Sequence, residues 1–495
     1  MSVVNSDGGV DAVGHFETRG VETIPESERH SSPSKIFRML IGAQFAFSII
    51  LFGWLPIAFG LGFWQAASAI AVGAAIGCLV LAPMGLFGQR AGTNNAVVSG
   101  AHFGVRGRLL GSLLGLFSAL GFTALTVWTS GDAVVAAAHE LFGLPVTGMT
   151  RGIAYAIVSA VLITVAALGH ANMMAMQRLM IPTIGIVMVI GLVALAPDMD
   201  LSYAGGEYIL GSFWPTWALA AITCASVPVS YGPFASDWGR YVPSTGCSAR
   251  SMMVAYASGS YIGLVFAYLF GALVATAFAD PTGDLVLGLA EASPTWFVIG
   301  VMLIGLGGGF AQGALGLYGM GLDFSSVFPV LKRIPATLIL GVISVVIVYL
   351  GTFVFNAVDS INAFATILIV ITTPWIAIMI VGFVYRRGFY LSDDLQVWNR
   401  RQTGGAYWFT AGINVRPFIA WVPAVVLGMM FIATSIYTGP LAGAVGGIDV
   451  SFLIAGASGA LIYVLTLVIA PEPDSLRGGT SQPRSDLAST PVGGM

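Results

Sequence analysis

The sequence predicts an all-α integral membrane protein: twelve spanning helices, ten of them in two five-helix halves of inverted topology and two more at the end. Three observations predict it. Hydrophobic residues make up 57% of the 495-residue chain and charged residues 9%, at mean hydropathy +0.88. A soluble domain carries about 25% charge, so most of this surface must be covered by lipid rather than water. Second, apolar runs of about 20 residues recur, the length that crosses a bilayer as a helix, without the period-two alternation of a membrane barrel. Third, glycine, proline and polar residues interrupt the first and the sixth run, five apart, at matching places.

Taken in order, residues 1–35 are polar and of mixed charge, with no early apolar stretch to serve as a cleavable signal. They are expected as a flexible cytosolic tail. Spans follow at 36–61, 65–87, 108–139, 152–168, 175–196, 214–236, 252–279, 294–321, 336–355, 360–385, 416–437 and 449–471. The first repeat covers 36–196 and the second 214–385; 416–471 holds the two additional helices, and 472–495 is a second flexible cytosolic tail. The third span is long enough to require tilt or an extension beyond the bilayer. Orientation follows from Lys and Arg. With a cytosolic N-terminus, all of them except Arg151 lie on the cytosolic side, while the outer loops carry Asp198, Asp200, Glu207, Asp280, Asp284 and Glu291. A miscount of one helix would scramble this asymmetry. The chain is thus expected as a monomeric, multi-pass protein of the cell inner (plasma) membrane with both termini cytoplasmic.

The sixth span carries the strongest signal. In "SVPVSYGPFASDWGRYVP" (226–243), Pro228, Gly232 and Pro233 accompany Ser226, Ser230, Tyr231, Ser236 and Asp237. Proline removes a backbone donor, and freed backbone in hydrocarbon is costly unless it faces protein, water or a ligand. The first span has a counterpart in "LIGAQFAFSIILFGW", with Gly42, Gln44 and Ser48. Unwinding is expected over 42–47 and 228–232, with the two breaks facing each other. Paired interruptions of this kind point to a transporter with a site near the midplane. The third span adds Thr126, Trp128, Ser130 and Asp132, and the glycine-rich eighth adds Gln312. An ionisable residue inside a span is a functional candidate.

Other classes fit poorly. Net charge is −3, without a basic stripe, so no nucleic-acid partner is expected. Cys78, Cys224 and Cys247 have no metal-ligand spacing, and His102, His139 and His170 share none either. Neither an enzyme nor a metal or organic cofactor is indicated, and nothing resembles a channel filter.

Three segments carry a family resemblance. "YGPFASDWGRYVP" (231–243) is similar to the SDYSRYLP-type segment of bacterial purine–cytosine permease-like proteins, members of the nucleobase:cation symporter-1 family. "GLFGQRAGTNNAVVSGAHFGVRG" (85–107) resembles that family's loop after the second helix, and "VYRRGFYLSDDLQVWNRRQTGGAYWFTAGINVRPFIAW" (384–421) its loop between helices ten and eleven. The resemblance covers about residues 33–471. It implies a LeuT-like fold and a permease that takes up a small neutral heterocycle, a nucleobase (purine or cytosine) or a hydantoin-like ring, together with a cation. The ring would stack between aromatic groups on spans three and six. Carried over, Phe122, Ser230 and Tyr231 would line the site, and Gln44 and Gln312, polar residues of spans one and eight, are expected to line it with them. Phe122 stands where cytosine-type members have a tryptophan, and Ala119 where they have a glutamine. The carbonyls of Ala43 and Ala46 match a sodium site whose remaining ligands are two hydroxyls; Gly309 and Phe310 stand in their place. A sodium site needs several hard oxygens, so proton-coupled or facilitated transport is expected over sodium symport, with Asp132 and Asp237 as the in-span carboxylates. Asp237 and Arg240, three apart on one helix face, are expected as an anchor or inner-gate ion pair. The alternative is a LeuT-fold carrier for an amino acid, amine or vitamin. For a carboxylate substrate it would rely on helix N-termini, because no Lys or Arg lies in the middle of a span.

Overall fold

The structure, a computed structural model, describes residues 21–168, 170–327, 333–354, 357–434 and 437–478. In chain order its helices are α1 (Pro33–Gly42), α2 (Phe47–Ala58), α3 (Phe63–Leu81), α4 (Gly85–Ala91), α5 (Asn95–Phe103), α6 (Leu109–Phe142), α7 (Gly148–Leu168), α8 (His170–Leu195), α9 (Phe213–Ser230), α10 (Ala235–Gly239), α11 (Ala249–Ala275), α12 (Leu285–Ala292), α13 (Val298–Leu303), α14 (Gly309–Val327), α15 (Arg333–Val354), α16 (Ala357–Tyr385), α17 (Ser392–Leu395), α18 (Val415–Met429) and α19 (Ser451–Ile469). A π-helical turn, Ile304–Gly308, joins α13 to α14. Among the described residues eight helices are long and apolar enough to cross a membrane, nine when α1 and α2, bent by 62°, form one span. Three shorter apolar helices, Val298–Gly313, Leu338–Thr352 and Val415–Met429, stand where the eighth, ninth and eleventh spans are expected.

The pairing of helices repeats when each span is exchanged for the one five positions on. Helix α3 packs along α9 as α11 packs along α1 and α2; α7 packs on α14 as α15 packs on α6; α6 meets α7 as α14 meets α15. That exchange is the two-fold relation of an inverted repeat, and α18 and α19 pack together outside it, against α16. Glycines four residues apart close both equivalent seams. Gly73 and Gly77 of α3 lie against the backbone of Ala221 and Ala225 in α9, and Gly259 and Gly263 of α11 against Phe37 and Ile41 in α1. Small residues are what let helices approach this closely without a hydrophobic drive between them.

Both expected tails are corrected where they are described. Residues 21–32 lie across the ends of the spans. Ile24 is buried and its N–H donates to Gly92 O at 2.8 Å. The Arg29 guanidinium donates to Gln89 O at 3.0 Å, and Glu26 accepts from the amides of Ser244 and Thr245 at 2.7 and 3.1 Å. After α19, Glu472 is buried in a two-bond ion pair with Arg386 at 2.9 and 2.6 Å. Arg386 also donates to His102 Nδ1 at 2.9 Å, so His102 carries its proton on Nε2, 3.0 Å from the Tyr390 hydroxyl. Asn414 donates to Glu472 at 3.1 Å. Polar, mixed-charge composition suggested free ends; the partners that hold them are far away in sequence.

Removing Glu472 leaves a buried arginine without its counter-charge. The Glu472→Ala variant is expected to lose about 3–5 kcal/mol, read as a lower unfolding temperature in detergent. Burial, and then the Arg386 charge, hold His102 in α5 well below the usual histidine range. The unfolded chain takes up that proton below about pH 6.5 while the folded one does not. Stability should therefore fall as pH drops below that value, and less steeply in His102→Gln.

Candidate functional site

The first break matches its expected place. Helix α1 ends at Gly42, Ala46 is extended at φ −144°, ψ 149°, and α2 starts at Phe47. The Gln44 N–H turns to Ile41 O, and its side-chain amide then donates to the carbonyl of Leu40 at 2.8 Å. The second break is later and smaller than expected. Pro228 stays inside α9; the irregular part is Tyr231 and a 3₁₀ turn, Gly232–Phe234. Pro228 cannot donate to Cys224 O, and the Tyr268 hydroxyl of α11 donates there instead, at 3.1 Å. Pro56 likewise leaves Phe52 O, which accepts from the Cys224 thiol at 3.5 Å. Ser118 of α6 donates to Ser230 O at 3.2 Å, where the 3₁₀ turn has drawn the Phe234 amide to Tyr231. The two breaks do meet: Tyr231 Oη donates to Gln44 Oε1 at 2.9 Å.

Between them lies a cavity lined by Ala43, Phe122, Tyr231 and Gln312, with Thr126 beside them and Asp237 and Trp238 at one end. Phe122 stacks at 5.8 Å on Phe52 and meets Phe364 edge-on at 5.6 Å. Tyr231 is held against Trp238, ring centres 5.8 Å apart. Gln312 Oε1 accepts from the Ser48 hydroxyl, which accepts in turn from Thr126 at 3.1 Å. The Gln312 oxygen is thereby engaged and its amide N–H₂ is the donor end of the chain.

Of the residues singled out from sequence, Phe122, Tyr231, Gln312, Ala43 and Asp237 line this cavity. Gln44 and Ser230 are fully buried and bonded within the breaks, the Ser230 hydroxyl to Val227 O. Ala46 caps α2 and packs against Gly308. Ser130 of α6 fills the space beside Gly309 and donates to Gly305 O at 2.7 Å, so the hydroxyl beside Gly309 comes from α6 and is bonded to the π-helical turn. Asp132 lies elsewhere, in a second hollow with Trp54, Thr129 and Asp284. Tyr155 donates to it at 2.8 Å and Arg151, the one arginine outside the set expected on the cytosolic side, pairs with it at 3.4 Å. Asp237 Oδ1 accepts the Asn95 N–H at 3.0 Å, the first amide of α5, while Asn95 also bonds Gly232 O and Ser236. Arg240 is buried, its guanidinium 5.1 Å over the Tyr241 ring. A further buried carboxylate, Asp323 on α14, went unread in the sequence because it follows a long apolar, glycine-rich run.

A family model described as permease for cytosine/purines, uracil, thiamine and allantoin matches residues 23–455. A putative purine-cytosine permease, YxlA of Bacillus subtilis (strain 168), is 27% identical over 460 residues, covering 91% of this chain and 96% of its own. Among solved structures, Mhp1, a nucleobase-cation-symport-1 family transporter in a closed conformation with bromovinylhydantoin bound, is similar at TM-score 0.74 and 17% identity, over 92% of this chain and 95% of that one. Its inward-facing conformation gives 0.70 at 16% identity over the same shares. A Na⁺-coupled sialic acid symporter gives 0.57 at 12% identity, over 90% and 92%.

Asp237 braces the start of α5, so the Asp237→Asn variant is expected to lose about 1–3 kcal/mol of stability. Ligand affinity, measured by tryptophan quenching on the variant that does fold, should change far less.

Proposed function

This chain belongs to the permease family for cytosine/purines, uracil, thiamine and allantoin, and from that membership we propose that it imports a small neutral planar heterocycle, a purine or cytosine before other rings. The observation that carries this reading is the cavity lining. Aromatic faces come from α6 and from the break after α9, an amide donor comes from α14, and no basic residue stands among the described lining groups. A flat uncharged ring suits that environment; a carboxylate would find no counter-charge. In this reading Phe122 and Tyr231 stack on the ring, Gln312 binds its edge, and Gln44 and Ser230 hold the breaks that shape the site. Stacking contributes about 1–3 kcal/mol per base where proteins bind nucleobases.

The cycle is alternating access across the plasma membrane, by a monomer with cytoplasmic termini. Coupling is to protons rather than sodium. Gly309 and Phe310 supply no side-chain oxygen, and Ser130, the hydroxyl beside them, is committed to Gly305. The carbonyls of Ala43 and Ala46 alone would hold sodium weakly.

The test is uptake into proteoliposomes with sodium and pH gradients imposed one at a time, across purines, pyrimidines, hydantoins and ring vitamins. Accumulation of a purine or cytosine under an inward proton gradient is expected. Accumulation that follows sodium and ignores pH would overturn the coupling. In the same assay Phe122→Ala should weaken uptake about tenfold or more; unchanged uptake at equal expression would remove Phe122 from the site.

A further inference from the structure

The cytosolic end of the cavity holds two carboxyl groups that the ring site does not use. Asp323 of α14 is 1% exposed, and its Oδ2 has no hydrogen-bond partner. That oxygen fills the space beside Gly115 of α6, where even a methyl group would collide with it. Phe234 borders the same space, and the next turn carries Asp237. Asp237 Oδ2 is also without a partner, in a residue that is buried and lines the cavity. The two carboxyl groups act on each other electrostatically. Arg240, on the same segment as Asp237, and the Tyr256 phenol of α11, which donates to Ala235 O, are the other ionisable groups acting on the pair among the described residues. Helices α5 and α6 contribute the Asn95 amide and Gly115 there.

The two environments are unequal. Asp237 Oδ1 accepts an amide at the start of α5, and Arg240 follows three residues on. Asp323 Oδ2 has no such donor. Two neighbouring carboxylates shut away from water cannot both stay charged. We propose that Asp323 takes up and releases the coupled proton, with Asp237 as its fixed negative neighbour. This rests on the proton-coupled reading above. While Asp323 is protonated, α10 and α14 close the inner end of the cavity. When that end meets cytosolic water, the Oδ2–H bond breaks and water accepts the proton. Two adjacent anions then hold the inner end open until the ring has left. Once the ring has left, the empty carrier closes and turns outward, where water delivers the proton that restores the O–H bond before the next ring loads. Gln312 and Asp323 share one helix and stand about 16 Å apart at 1.5 Å per residue, so ring and proton load onto the same rigid element.

The decisive experiment compares wild type and Asp323→Asn in proteoliposomes by two readouts. One is exchange of labelled ring substrate between equal pools with no gradient; the other is accumulation driven by an imposed pH gradient. The expected result is a split: Asp323→Asn exchanges but no longer accumulates, and its uptake no longer alkalinises a weakly buffered medium. Accumulation at the wild-type level would overturn the proposal. Should Asp323→Asn fail to fold, a hydrophobic carbodiimide on wild type decides by peptide mass. Modification at Asp323 that declines as pH rises supports the assignment, and absence of reaction at every pH overturns it. Wild-type accumulation that ignores the pH gradient would instead bring down the coupling reading, and this site with it.

Discussion

A peptide carbonyl set free inside hydrocarbon must find another donor, and the architecture of this permease is organised around that requirement. Pro56 frees Phe52 O and the Cys224 thiol of α9 reaches it; Pro228 frees Cys224 O and the Tyr268 hydroxyl of α11 reaches that. Ser118 of α6 serves Ser230 O, and Ser130 serves the π-helical turn at Gly305. The donors come from other helices, mostly from the other half of the molecule. Three of these four carbonyls are thus satisfied only while the other half is docked on them, whereas Tyr268 serves Cys224 O from within the same half. Glycine seams bring the backbones close enough for such short donors to reach.

The same logic separates what was legible in the sequence from what was not. Composition and run length identify a bundle in lipid, because no other surface tolerates so few charges. The break at Ala43–Ala46 was visible because Gly42 and Gln44 are wrong for a lipid-facing helix. The break in the sixth span was misplaced by a few residues, because a proline bends a membrane helix only as far as its freed carbonyl lacks a donor. Tyr268, forty residues on, supplies it to Cys224, so Pro228 remains helical. Phe122, Tyr231 and Gln312 were readable through family likeness. Asp323 was not, since nothing in a local stretch of glycines announces a carboxylate that faces another helix. The ends were misjudged for a related reason: Ile24, Glu26 and Arg29 bind backbone groups far along the chain.

Charge is distributed by the same economy of partners. Asp132 is matched by Arg151 near one end of α6 and Asp237 by an α5 amide near the opposite end. Arg386 and Glu472 neutralise each other where the tenth and twelfth spans finish. Residues 21–32 bond to the loop after α4, to the 241–245 turn and to Gln396, and so tie three segments together. Any motion that separates those segments must also release or carry the strap across them.

The thiol of Cys224 has a practical consequence for spectroscopy on this carrier. Distance measurements with paired labels begin from a background stripped of native cysteines, usually through alanine. Cys78 and Cys224 are buried, so neither competes strongly for a water-soluble label, whereas Cys247 is partly exposed and does. Replacing Cys224 by alanine would silence a site that hardly reacts and orphan the carbonyl of Phe52 beside the first break. Serine keeps a donor in that place, and a background that retains Cys224 while changing Cys247 alone leaves the broken helices as they are.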